Sequence, residues 1–296
     1  MAAMERPLVV GVDGSDPALR ALDWAVDEAA LHGLPLRIVH ASTWEHYEPP
    51  ESGPDAGEPP GEQVLAEAVA GAAVERARCR NADVETVSEV LPEEAVDALL
   101  REAHYAYALV LGSRGRGEVL GRLLGSVGVA VAARAPCPVV VVRGDRAGLA
   151  GSHRSILLGV GEPAKSAEAV RFAFREAEAR GCLLKAVRAW RCPAHERSDD
   201  PPLLATQAQD YHDKQAAEQL DAALAEAAAE HPAVTVRRTT VEGPAHKVLV
   251  HRAAAADLLV VGAGHRHGHF GLPLGRVAHS ALCHADCPVA VVPERA

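Results

Sequence analysis

The chain has 296 residues, room for about two domains of roughly 150 residues each, with 48% apolar residues and only 3% aromatic. Asp and Glu number 40 against 30 Lys and Arg, a net charge of −10, which argues against a nucleic-acid partner and reads as a device for solubility. No leader-like stretch opens the sequence and no apolar run is long enough to span a bilayer, so a cytoplasmic protein without membrane attachment is expected.

Residues 8–13 (LVVGVD) form a buried strand that ends in an acidic residue. Gly14, Ser15, Asp16 and Pro17 turn the chain, and Pro17 suits the first turn of a helix. Leu19, Leu22, Ala25, Val26 and Ala29 then recur at helical spacing until His32 and Gly33 close the helix. Residues 36–41 are the second strand. Strand, helix, strand implies a parallel sheet with right-handed crossovers. Residues 48–61 are rich in Pro, Gly and acid and read as a loop inside the unit. A helix over 63–79, a strand over 84–90 and a helix over 93–103 follow. Ala108, Leu109, Val110 and Leu111 make a buried strand, 127–133 a helix with Ser126 as its N-cap, and 139–142 a last buried strand.

Residues 144–155 are polar and glycine-containing and read as a linker, after which the unit repeats. Residues 155–160 echo 8–12, 170–177 echo 22–29, 258–262 echo 108–112, and 287–292 echo 137–142. A repeat of this length means two copies of one α/β domain, over 1–146 and 152–296, each a five-stranded parallel, Rossmann-like open sheet with helices on both faces.

Between the strand at 108–111 and the helix at 127–133 lies a glycine-rich loop with Arg114 and Arg116 beside it. Glycines let the backbone approach a ligand closely, and a helix start with its free N–H groups favours phosphate. The loop reads as a phosphate cradle, with a plain surface turn as the alternative. It is not a Walker A loop, since no Gly-Lys-Ser/Thr follows, and Leu120 stands where the Rossmann fingerprint needs its third glycine. What fits is Gly112, two residues, Gly115, nine residues, then Gly125-Ser126.

This spacing resembles the nucleotide-binding motif of the universal stress protein family, and the repeat extends the resemblance over nearly the entire chain as two tandem domains. The resemblance implies strand order 3-2-1-4-5 and ATP, with Mg²⁺ as an optional companion, in the crevice between strands one and four. Gly11, Val12, Asp13, His40 and Ala41 would hold the adenosine part. Leu111, Gly112, Ser113, Arg114, Gly115, Arg116, Gly117, Gly125, Ser126 and Val127 would hold ribose and phosphates. It also implies that the last strand of each domain pairs across the interface between them, a use for two strongly apolar edges.

The second copy departs from the motif. Gly161 stands for Asp13, His265 for Gly115 and Arg276 for Ser126, while Gly262 and Gly275 remain. A side chain at the Gly115 position crowds a phosphate, so nucleotide is expected in the first copy alone. The second copy would bind another anion, bind nucleotide weakly, or serve as structure. His265, His267 and His269 could bind zinc or nickel, but a polar loop is favoured. The cysteines at 79, 137, 182, 192, 283 and 287 contain no CxxC pair, so neither a disulfide framework nor a zinc ribbon is indicated. His279, Cys283, His284 and Cys287 read as core packing of thiols, and no metal site is expected.

Three classes of function remain. They are a nucleotide-dependent regulator in a stress response, a slow ATPase, and an interaction module without nucleotide. An ATPase needs a placed base, a metal site or a nucleophile. The loop offers no Lys, and Ser15 and Ser113 are turn residues. Binding is therefore favoured over catalysis, with a homodimer and an unidentified protein partner expected.

Overall fold

The computed structural model describes residues 6–43, 61–113, 125–192, 202–264 and 274–294. The chain divides into two units, Met1–Val142 and Arg143–Ala296.

The first unit runs β1 (Leu8–Gly11), α1 (Asp16–His32), β2 (Leu36–Ala41), α2 (Gly61–Arg80), β3 (Thr86–Leu91), α3 (Ala95–Ala103), β4 (Ala108–Gly112), α4 (Ser126–Arg134) and β5 (Val139–Val142). All its strand pairs are parallel, in the order β3-β2-β1-β4-β5 that the resemblance implies. The chain leaves β1 towards β2 and later returns to β4 on the other side of β1. Right-handed crossovers therefore put α1 and α2 on one face and α3 and α4 on the other. The helices pack as those two pairs.

Local chemistry explains the element ends. Ser15 caps α1, its Oγ accepting from the Ala18 N–H (3.4 Å), and Pro17 lies in the first turn, where no N–H is missed. Gly33 stops the helix at φ 65°. The core is short-sided. Every residue of β5 is buried, and α2 turns the stripe Ala66, Ala70, Ala73 and Ala77 inward. Four methyl groups at helical spacing let α2 lie close over the sheet, and Arg76 and Arg80 reach Asp23 and Asp27 of α1 from its exposed side. Arg76 does so through two 2.7 Å bonds.

The second unit repeats the scheme. After the single turn α5 (Arg146–Leu149) come β6 (Ser155–Gly159), α6 (Pro163–Arg180), β7 (Leu183–Trp190), α7 (Pro202–Glu230), β8 (Val236–Glu242), α8 (Ala245–Ala253), β9 (Leu258–Gly262), α9 (Arg276–His284) and β10 (Val289–Val292). Its parallel order is β8-β7-β6-β9-β10. Phe172 and Phe174 of α6 are its largest fully buried side chains. Buried Asp257 accepts from the N–H groups of His153 (2.9 Å) and Ser155 (3.0 Å), fixing the start of β6.

The stretch read as a linker belongs to this second unit and is tied down. The Asp145 N–H donates to the Asp286 carbonyl (3.2 Å), and the Gly148 N–H to Asp145 Oδ1 (2.9 Å). Arg143 donates to the Leu282 carbonyl. Gly144 sits at φ 106°, and a Cβ there would lie 2.3 Å from the Asp286 oxygen. No helix among the described residues is long and apolar enough to cross a membrane.

Candidate functional site

In the first unit β1 pairs with β2 on one side and β4 on the other, so the strand order reverses between β1 and β4. Ligands of open parallel sheets bind beyond the strand ends at such a reversal. Asp13 lies two residues past β1. Its Oδ1 accepts from the Ser15 N–H (3.0 Å) and the Ser15 hydroxyl (2.6 Å), and Ser15 in turn caps α1. Asp13 is thus held by the helix start it helps to build, an Asx-type turn. His40, at the end of β2, is buried with Nδ1 2.8 Å from the Val12 carbonyl. A carbonyl only accepts, so Nδ1 carries a proton and donates. Val12 is also bonded through its N–H to the Val39 carbonyl (2.9 Å). His40 thereby fixes the backbone next to Asp13, and Ala41 ends the same strand.

Leu111 and Gly112 close β4. A Cβ on Gly112 would lie 2.7 Å from the Pro17 carbonyl carbon and 2.8 Å from the Ala18 nitrogen. A Cβ on Gly11 would lie 2.8 Å from Leu111 Cδ2. Gly112 requires glycine, because its neighbours are backbone atoms that cannot turn away; at Gly11 the neighbour is the end of a leucine side chain, which can shift. Ser113 accepts from the Gly125 N–H (3.1 Å), which joins the two ends of the glycine-rich loop.

The helix after the loop differs from expectation at its first residue. Gly125, extended at φ −63° and ψ 148°, is the N-cap of α4, and Ser126 is already helical. The first bond of the helix starts from the Gly125 carbonyl, which accepts from the Val129 N–H (3.2 Å), while the Gly125 N–H is held by Ser113. The N–H groups of Ser126, Val127 and Gly128 come before that bond and are not used by the helix. Ser126 is exposed, and its hydroxyl makes no hydrogen bond among the described residues. Unused donors beside a free hydroxyl at the positive end of a helix suit an anionic oxygen. The structure thus gathers Asp13, Ser15, Gly112 and the start of α1 at one place, Val12 with His40 at a second, and Ser113 with Gly125 at a third. Arg114, Gly115, Arg116 and Gly117 lie outside the described residues, as do His265, His267 and His269 of the second copy.

The second unit builds the corresponding place differently. Gly161 replaces Asp13, and its N–H is taken by Ser166 Oγ (3.1 Å). Arg188, the residue of β7 that corresponds to His40, donates to the Gly161 carbonyl and to Gln219 Oε1 of α7. Burial lowers the Arg188 pKa below that of an ordinary guanidinium, with Glu162 opposing the shift. Next to it Trp190 donates from Nε1 to Asp213 Oδ1 (2.8 Å) and stacks on His212. Sequence reading missed this set. Extending the repeat by its offset of 148 residues pairs His40 with Arg188 and is the signal that could have found it. Gly275 keeps the loop closure, its N–H donating to the Ala263 carbonyl (2.9 Å), and a Cβ there would lie 2.4 Å from the Gly264 oxygen. Cys283 and Cys287 are buried, and burial pushes the Cys287 thiol up to about 12, behaviour of a packed thiol.

Two tandem α/β units, each with a glycine-closed loop between its fourth strand and last helix, define the class. The sequence pattern of the Universal stress protein family matches residues 4–143 and 152–293, and the chain belongs to that family. A universal stress protein of Mycobacterium tuberculosis is 35% identical over 295 residues, covering 96% of each chain. A second one from the same organism is 31% identical over 293 residues, covering 97% of this chain and 96% of its own. Among solved structures, a universal stress protein from Archaeoglobus fulgidus superposes with a TM-score of 0.67 at 15% identity, over 98% of this chain and 99% of its own, a likeness of fold.

Proposed function

We propose that the first unit binds ATP between the ends of β1 and β4, with or without Mg²⁺, and that the protein is a nucleotide-dependent regulator in a stress response. The observation that carries the reading is the closed loop. Gly112, Gly115, Gly125 and Ser126 keep the family spacing, and the Ser113–Gly125 bond sets the loop ends beside three unused N–H groups. Gly11, Val12, Asp13, His40 and Ala41 would take the adenosine end. Leu111 to Gly117 with Gly125, Ser126 and Val127 would take ribose and phosphates. Phosphate charge at a helix start is stabilised by the aligned peptide dipoles. Among the described residues of this set the groups able to act as a base are Asp13, whose Oδ1 already accepts from Ser15, and His40, whose Nδ1 faces the Val12 carbonyl, which supports retention over turnover. The wider proposal is a cytoplasmic homodimer acting on a protein partner, with domains over 1–146 and 152–296.

The test is Gly115→His, which puts into the first loop the residue that the second copy carries. A β-carbon there should crowd the phosphates and weaken ATP binding by about tenfold or more, roughly 1.4 kcal/mol. Melting of the nucleotide-free chain should be unchanged, since surface loops tolerate substitution. Unchanged ATP affinity with unchanged melting would remove the main support for the reading.

A further inference from the structure

The two units occupy one chain, so each position in the second has a counterpart in the first. Four counterparts at the strand ends differ in one direction. Arg191, just past β7, stands for Thr43; His246 and Lys247, in the first turn of α8, stand for Val96 and Asp97; Arg276, which opens α9, stands for Ser126. The first unit has no cation at any of the four. The second has three fixed cations and a histidine, in a chain whose net charge is −10.

The fold brings them to one edge. Arg191 follows the last residue of β7, Trp190, whose carbonyl accepts from the Gly243 N–H (2.8 Å) just ahead of α8. Helices α8 and α9 pack together, and each follows the C-terminal end of a parallel strand, β8 and β9 respectively. Proximity shows in the electrostatics. His246 has its pKa lowered by burial and then by Arg276, Lys247 and Arg191 together. Arg191, Lys247 and Arg276 are exposed. None of the four forms an ion pair among the described residues. Exposed cations gathered at one edge raise the local positive potential and draw anions to it.

The neighbouring ground lacks the groups proposed to hold a nucleoside in the first unit. Where the first unit has His40 and Asp13, the second has Arg188 bonded to Gly161 and Gln219, with Trp190 locked to Asp213 beside it.

The geometry points to a second site, separate from the proposed ATP site, in which Arg191, His246, Lys247 and Arg276 bind a small, multiply charged anion of the condensed-phosphate class without a nucleoside. Guanidinium groups hold phosphate oxygens in pairs, and cations spread over three elements match charge distributed along a phosphate chain better than a single carboxylate.

The experiment is calorimetric titration of the full chain with inorganic tripolyphosphate at saturating ATP. One further equivalent should bind. Arg276→Ser with Lys247→Asp, which installs the first unit's residues, should weaken it by about tenfold or more. Arg191→Thr alone should weaken it by a smaller factor, which keeps the test valid if the double variant folds poorly. ATP affinity should be the same in all three proteins. The Gly115→His chain should still take tripolyphosphate. No binding at saturating ATP, or equal binding by folded variants, would overturn the inference. Loss of tripolyphosphate binding in Gly115→His would do so too, by placing the anion in the first unit. Failure of ATP to bind the parent chain would count against the ATP reading alone.

Discussion

Gly112 and Gly262 end corresponding strands, and neither has a positive φ, so a methyl group tests packing without backbone strain. At Gly112 the added Cβ would meet the Pro17 carbonyl carbon at 2.7 Å and the Ala18 nitrogen and Pro17 oxygen at 2.8 Å. Ordinary contact begins about 0.6–1 Å further out, near 3.5 Å or more. All three atoms are backbone in the first turn of α1, so no rotamer change relieves the clash. The helix start must move, and Ser15 and Asp13 with it. Overpacking of this kind costs about 2–3 kcal/mol, or roughly 6–12 °C in Tm for a unit of this size. At Gly262 the nearest atom is the Lys165 oxygen at 3.8 Å, an ordinary contact. Gly262→Ala should be neutral or stabilise by up to about 1 kcal/mol, because alanine restricts the unfolded chain. Calorimetric melting of the two full-length variants without nucleotide measures both. Equal Tm shifts, or a Gly112→Ala chain that melts like the parent, would refute the packing argument. A large loss in Gly112→Ala would identify Gly112 as a residue of the fold before any role in binding.

Two more outcomes are expected. Burial pushes the Cys137 and Cys287 thiols up to about 12, so at pH 8 a thiol reagent should modify exposed Cys79 quickly and these two only on unfolding; fast labelling of either in native protein would contradict their packing. His246 should titrate below 6.5 by NMR and move upward in Arg276→Ala. Its folded pKa is lowered, so the unfolded chain takes up the proton first, and this contribution to stability is present above pH 6.5 and lost as pH falls from there through the lowered folded value. A midpoint at or above 6.5 in the parent chain would show that the cations do not act on His246.

Much of the fold was legible because its signals are local. Runs such as Val139 to Val142 and the spacing of Leu22, Ala25, Val26 and Ala29 state burial and period directly, and the repeat states the two units. The motif was legible as spacing. Its physical reasons were not. Gly112 faces the turn at Pro17, 95 residues earlier, and nothing in the neighbourhood of either records that approach. Ser126 looks like a cap by residue type, yet the first helical bond starts from the carbonyl of extended Gly125, one residue earlier. Arg188 looks like a polar residue on a strand. Its pairing with Gly161 and Gln219 depends on how β7, the end of β6 and α7 meet, a relation among segments 27 and 31 residues away.

The clasp at Arg143, Gly144 and Asp145 also sets an order of events during synthesis. The ribosome delivers these residues directly after β5, but their partners, Leu282 and Asp286, come about 140 residues later. At roughly 5–20 residues per second the segment waits at least several seconds with its carbonyl acceptors unmade, while the first unit already has all five of its strands. It closes only once α9 and the turn into β10 exist. The stretch that looks like a spacer in the sequence is thus among the last parts of the second unit to lock, and its closure reports that the nascent second unit has been finished.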